Sequence, residues 1–241
     1  MRVVLSIAIC AVLFLSGCSS RSNDDIQRSE LENLYELSQS YLQNGRFADA
    51  ATLLSQINTR YPFGPYAQQV QLDLIYAQYK VGRQDQALTV IDRFLSLNPN
   101  HADNDYVRYM RGLVHLQAEG AFFQDVFGVD RSDRNPVYAE RAFDDFAELV
   151  QRHPDSKYAA DARQRMVWIQ SRLASHELAA AEYYLRREAY MAAARRGVYI
   201  VENFPNVIEA KRALEIMVVS YEALDLTQEA SDARQVLNTN F

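Results

Sequence analysis

The sequence predicts an all-α chain built from a stack of helix pairs, on three observations. Helix breakers are scarce, with 8 Gly and 6 Pro among 241 residues. No stretch after Ser29 alternates convincingly between apolar and polar residues at period two, the pattern of a half-buried strand. The prolines Pro62, Pro99, Pro154 and Pro205 each close an apolar-periodic segment, which is where proline stops a helix.

The first element is a leader. Met1-Arg2 puts positive charge at the amino end, Val3–Leu15 is apolar apart from Ser6, and Leu15-Ser16-Gly17-Cys18 closes the run. A positive start, an apolar centre and small residues before a cut site are the anatomy of a secretory signal. The apolar part is shorter than the roughly 20 residues that span a bilayer. The final Cys makes the run resemble a bacterial lipobox. Residues 1–17 are expected to be the signal peptide. Cys18 is expected to carry a diacylglycerol on its thiol and an acyl chain, such as palmitate, on its new amino group. Two or more chains give stable anchoring at about 0.8 kcal/mol per buried CH₂. Ser19 and Ser20 follow the Cys, where an Asp usually marks inner-membrane retention in lipoproteins of this type. By that resemblance the address is the outer membrane. Cys10 leaves with the signal, so the processed chain has a single, acylated cysteine and no disulfide.

Residues 18–28 are polar and are expected to form an acylated tether. The helical body is expected over 29–241. Counting back 12 residues from each proline lands on Ala50, Ala87, Ala142 and Ala193, and counting back 17 lands on Gly45, Gly82, Val137 and Glu188. Seven residues after each Ala sit Ile57, Phe94, Leu149 and Ile200. Tyr41, Gln78 and Tyr184 lie nine residues before three of the same alanines, and the tail repeats the pattern with Tyr221, Ala230 and Leu237. A small Ala lets two antiparallel helices approach, and proline ends the second one. The spacings match the tetratricopeptide repeat, a helix–turn–helix of about 34 residues. The expected architecture is an elongated, curved solenoid of about five helix pairs with a concave inner face.

The period is uneven. Gly45 to Gly82 and Glu188 to Asp225 are each 37 residues, but Pro99 to Pro154 is 55 and Pro154 to Pro205 is 51. One source is an insertion over about 121–136. The other is a helical stretch, Tyr158–Leu173, ahead of the fourth unit's first helix. No Gly or Pro separates it from Ser175–Arg186, so the two can join as one long helix.

Charge and motifs narrow the function. A formal net charge of −6 argues against nucleic acid, which needs a basic footprint. No phosphate-binding loop, nucleophile elbow or paired-cysteine motif is present. His101, His115, His153 and His176 are scattered. His176-Glu177 begins like a zinc-protease signature, but Ala180 stands where the second ligand belongs. The adjacent pairs Asp24-Asp25 and Asp144-Asp145 are expected to be solvated charge. The chain is therefore expected to be no enzyme and to hold no metal and no cofactor beyond its acyl chains.

Three stretches stand out as surfaces. The turn Tyr61-Pro62-Phe63-Gly64-Pro65-Tyr66 either plugs the joint between two repeats or lines a groove for extended peptide. In the insertion, Phe122, Phe123, Val126 and Phe127 fall at helical spacing and make one apolar face, either a lid on the chain itself or a wedge for a partner. The pair Arg195-Arg196 is either solvated or an interface anchor.

Four segments together carry a family resemblance: the lipobox; Arg60–Tyr66 with Gln68–Tyr76; Asp105-Tyr106-Val107-Arg108-Tyr109-Met110-Arg111-Gly112-Leu113; and Phe127-Gly128-Val129-Asp130-Arg131-Ser132-Asp133-Arg134. With these the chain resembles the BamD family, outer-membrane lipoproteins of the β-barrel assembly machinery. The resemblance covers nearly the whole chain. It implies a non-catalytic scaffold on the periplasmic face of the outer membrane that helps fold and insert outer-membrane proteins. The amino-terminal repeats, about 29–120, would recognise unfolded clients near Tyr61, Phe63 and Tyr66. The repeats over about 137–241 would dock on the POTRA domains of a BamA-like barrel protein and meet accessory lipoproteins. Arg196 matches a family arginine at that end, and Phe122, Phe123 and Phe127 are further partner-binding candidates. The alternative function is a pilotin-like tetratricopeptide lipoprotein for secretin or pilus assembly, which would share the anchor and repeats but not the aromatic turn or the insertion.

Overall fold

The computed structural model describes residues 23–120 and 136–241. Among these residues there are ten helices and no strand. They are α1 (Asn23–Gln43), α2 (Phe47–Arg60), α3 (Ala67–Lys80), α4 (Gln84–Leu97), α5 (Asn104–Glu119), α6 (Val137–Arg152), α7 (Ala159–Arg186), α8 (Tyr190–Asn203), α9 (Glu209–Ala223) and α10 (Thr227–Asn240). The expected lipobox with Cys18 and the insertion with Phe122, Phe123 and Phe127 lie outside the described residues. Helix α1 begins at Asn23, within the stretch expected to be a tether. The helix of Tyr158–Leu173 does join Ser175–Arg186: α7 is a single helix of 28 residues.

Two kinds of turn recur, and they explain the spacing of Gly, Ala and Pro. In four of the pairs the first helix ends at a left-handed residue: Gly45 (φ 71°), Gly82 (φ 74°), Glu188 (φ 56°) and Asp225 (φ 61°). The next residue's N–H reaches back to the carbonyl five residues earlier. These bonds run from Arg46 to Tyr41 (2.8 Å), Arg83 to Gln78 (2.9 Å), Ala189 to Tyr184 (3.0 Å) and Leu226 to Tyr221 (2.9 Å). This Schellman closure satisfies carbonyls that the helix end would otherwise leave bare.

Between pairs, the second helix ends at Tyr61, Asn98, His153 and Phe204, with φ of −127°, −128°, −135° and −132° and ψ between 53° and 63°. Each of these caps precedes a proline, whose ring drives the preceding residue out of helical geometry. The backbone then makes the same bond each time. The N–H groups of Gly64, His101, Ser156 and Val207 donate to the carbonyls of Tyr61, Asn98, His153 and Phe204 at 3.2, 3.2, 3.1 and 3.4 Å.

The chain separates into two compact units, with the boundary after Val70. In the first, α1 packs on α2 around Leu31, Ala50, Ala51, Leu54 and Ile57, all at most 3% exposed. In the second, each closing helix buries its repeat alanine (Ala87, Ala142, Ala193, Ala230) and the three before α10 bury Phe94, Leu149 and Ile200. Helix α7 contacts α6, α8 and α9, so its length ties consecutive pairs together. A side chain the size of Ala at these crossings allows the close packing that a larger residue would block.

Candidate docking sites

The aromatic turn of the first unit splits into inward and outward rings. Tyr61 caps α2, its N–H donating to the Ile57 carbonyl at 2.8 Å. Arg60 on its other side makes a two-pronged bond to Glu30 on α1, Nη1 to Oε1 at 2.6 Å and Nη2 to Oε2 at 3.0 Å, and its guanidinium lies 5.2 Å from the Tyr61 ring. Desolvation raises the pKa of the Tyr61 phenol, with Arg60 pulling it down and Glu30 pushing it up. Tyr66 stacks on Tyr35 of α1, centroids 4.9 Å apart at 14°. Gly64 is where the turn meets α1, because a Cβ there would sit 3.2 Å from Leu31 Cδ2. Phe63 alone turns outward and is 93% exposed. The residues after the other three prolines are Asn100, Asp155 and Asn206, all exposed. Within the turn, Tyr66 packs its ring on α1 and Phe63 presents its ring to solvent.

Arg196 lies on α8 and reaches back to α7, Nη1 donating to Glu177 Oε2 at 2.6 Å. That hydrogen bond is the main cause of its raised pKa. The Arg196 side chain is 44% exposed while Glu177 is 15% exposed, so a mostly covered carboxylate holds a half-exposed guanidinium in one orientation. Met191, Arg195 and Tyr199 follow one another at four-residue steps on the same helix, all exposed. Met, Arg and Tyr are the types enriched where proteins meet.

One sequence expectation is corrected. Asp144-Asp145 was expected to be solvated, but Asp145 is 6% exposed. Its Oδ1 accepts from Arg111 Nε at 2.5 Å and its Oδ2 lies 2.6 Å from His115 Nδ1. A carboxylate only accepts, so Nδ1 carries the hydrogen. Glu148 extends the network, accepting from Arg111 Nη2 at 2.7 Å and Arg108 Nη1 at 2.5 Å. The carboxylate is buried because its partners come from α5, which no reading of adjacent residues reveals. The network joins two helices. Among the described residues no group of three or more His, Cys, Asp or Glu is placed to hold a metal.

Comparison with known proteins decides the family. Residues 27–237 match the YfiO family, described as outer membrane lipoprotein. Outer membrane protein assembly factor BamD of Vibrio cholerae is 42% identical over 232 residues, 96% of this chain and 96% of its own length. The BamD of Neisseria meningitidis serogroup B is 39% identical over 245 residues, covering 100% of this chain and 91% of the relative. That of Haemophilus influenzae is 36% identical over 241 residues, covering 100% and 92%. This chain belongs to the BamD family. The family is one of outer membrane lipoproteins, and among the described residues no helix is long and apolar enough to cross a membrane.

Proposed function

We propose that this chain is a non-catalytic scaffold of the outer-membrane β-barrel assembly machinery, held on the periplasmic face by acyl chains on Cys18. The observation that carries this is similarity along almost the entire chain to relatives named outer membrane protein assembly factor. Clients are unfolded outer-membrane proteins, and Phe63, with Tyr61 and Tyr66 fixing its turn, takes the aromatic end of their last strand. A side chain that is 93% exposed on a rigid turn can bury its ring on contact without refolding, which keeps the ordering cost low. Release stays possible, because an extended segment spends free energy on becoming ordered. Arg196 and the Met191–Arg195–Tyr199 stripe face a BamA-like POTRA-containing barrel subunit, and Phe122, Phe123 and Phe127 meet that subunit or an accessory lipoprotein.

The test is site-specific photo-crosslinking in intact cells. A crosslinker at position 63 is expected to trap outer-membrane protein precursors, while one at position 100, the matching residue of the next turn, traps few. One at 195 is expected to trap the POTRA-bearing subunit. Recovery of a secretin at both 63 and 195, with no barrel precursor, would instead establish the pilotin-like role.

A further inference from the structure

The second unit carries a cluster of tyrosines that the reading above leaves without a task. Tyr76 and Tyr79 lie on α3, Tyr106 and Tyr109 on α5, and Tyr158 at the start of α7. Tyr109 stacks on Tyr158 at 4.8 Å and 17°, and Tyr106 lies 5.8 Å from Tyr158 at 47°. Their ring bodies fill the joints: Tyr79 and Tyr106 pack against Ile75, Phe94 and Val107, and Tyr109 and Tyr158 against Phe146 and Ile169. Their hydroxyl ends differ. The Tyr109 hydroxyl donates to Asp161 Oδ2 at 2.6 Å, whereas those of Tyr106 and Tyr158 make no hydrogen bond among the described residues.

The charge around these phenols is negative. Asp73 and Asp103 are close enough to add to the upward shift that burial gives the Tyr106 phenol. Asp105 accepts from Ser156 Oγ at 2.6 Å. Asp161 binds Arg165 Nε at 2.5 Å, so that guanidinium is already matched. Lys157 sits with Nζ 5.0 Å from the Tyr158 ring, which is the geometry of a cation–π contact. The aromatic face is also local to these repeats. The positions that hold Asp103, which caps α5, and Tyr106 and Tyr109 on α5 hold Glu209, Arg212 and Glu215 on α9, where Arg212 is tied to Glu182 and Glu215 at 3.2 and 3.0 Å.

We propose that Tyr76, Tyr79, Tyr106, Tyr109 and Tyr158 form a second docking surface, which takes an extended polypeptide segment carrying a basic side chain among apolar ones. Aromatic faces and carboxylates both favour a cation, and the hydroxyls of Tyr106 and Tyr158 can bond the backbone of an extended chain, which has no internal partners for its amides. The inference rests on the reading that the chain handles unfolded polypeptide, and it adds where such a chain is held beyond Phe63 and which side chains are selected.

The experiment uses the full chain and a labelled synthetic peptide of alternating Val, Tyr and Lys, compared with the same peptide bearing Glu at each Lys. Binding is read by fluorescence anisotropy. The Lys peptide is expected to bind about tenfold or more tightly, with the preference shrinking as salt rises. Tyr106→Phe with Tyr158→Phe keeps the rings and removes two hydroxyls, and is expected to weaken the Lys peptide about tenfold. Equal affinity for the two peptides, or no change in the double Phe variant with its helical circular dichroism intact, overturns the proposal. Phe63→Ala separates the two readings. If it alone weakens binding, the tyrosine surface is wrong and the turn stands. If only the tyrosine variant weakens binding, the turn assignment fails and the tyrosine surface stands.

Discussion

The pairs α5–α6 and α8–α9 make the same kind of close crossing by different physical means. Each crosses at a glycine. A Cβ on Gly112 of α5 would lie 2.5–2.8 Å from three ring atoms of Phe146 on α6, and one on Gly197 of α8 would lie 2.6 Å from Met217 Cγ on α9. Beside that contact, α8–α9 is apolar, with Ile200, Ala213, Leu214 and Val218 buried. Beside its glycine, α5–α6 holds the network of Arg108, Arg111, His115, Asp145 and Glu148. Apolar burial is strong but tolerates sliding, because any apolar neighbour serves. A covered carboxylate with two named donors has one satisfactory position. The difference teaches that register is specified more tightly at α5–α6 than at α8–α9.

The sharpest way to break this comparison is to remove the carboxylate. Asp145→Ala strands the Arg111 guanidinium and the His115 N–H in a covered site, and breaking a buried pair in this way costs about 3 kcal/mol. Arg212→Ala at the other pair removes exposed ion pairs and is expected to cost less than about 1 kcal/mol. Urea unfolding of the two variants measures both. Equal midpoints would mean that the α5–α6 network contributes no more than surface charge.

The two glycines offer a finer test. Gly112→Ala drives a methyl into the ring of Phe146, which is fully buried and flanked by packed neighbours. Overpacking of this kind costs about 1–3 kcal/mol, set against about 1 kcal/mol of gained helix propensity. Gly197→Ala meets the flexible end of Met217, which can swing away, although the Ala213 carbonyl at 3.0 Å limits the relief. Gly112→Ala is expected to lower the melting temperature clearly and Gly197→Ala little or not at all. The reverse order would show that Phe146 yields more easily than Met217.

How much of this was legible in the sequence follows from the range of each interaction. The pairs could be counted because Gly45, Ala50, Ile57 and Pro62 act within one hairpin, and the same offsets return at Gly82 and Glu188. The family could be named because Arg60–Tyr66 and Asp105–Leu113 are contiguous strings. Asp145 was misjudged because its donors stand 34 and 30 residues away, and an Asp-Asp pair in isolation says only that charge is present. The tyrosine face was missed for the same reason: Tyr76, Tyr106 and Tyr158 meet only once three helices are stacked. At the aromatic turn the residue types were visible, but whether Phe63 or Tyr66 pointed outward depended on Leu31 and Tyr35 of another helix.

The smallest expected effect concerns the turns that bracket α8–α9. Helix α5 ends at Gly120 with φ 67°, whereas the turns before α8 and after α9 place Glu188 at φ 56° and Asp225 at φ 61°. The left-handed region costs an L-residue about 1–2 kcal/mol, and Asp, whose short polar chain bonds locally, pays the least. Glycine removes that strain but loses more chain entropy on folding, by about 0.5–1 kcal/mol. The balance makes Glu188→Gly stabilising by about 0.5–1 kcal/mol, while Asp225→Gly is expected to be near neutral. Gly82→Ala, which runs the exchange in the opposite direction at the matching position, is expected to destabilise by about 1 kcal/mol. Thermal unfolding of the three variants checks the set. Were Glu188→Gly to destabilise instead, the Glu188 side chain would be contributing contacts that outweigh its backbone strain, and the α8–α9 pair would be held by more than its apolar faces.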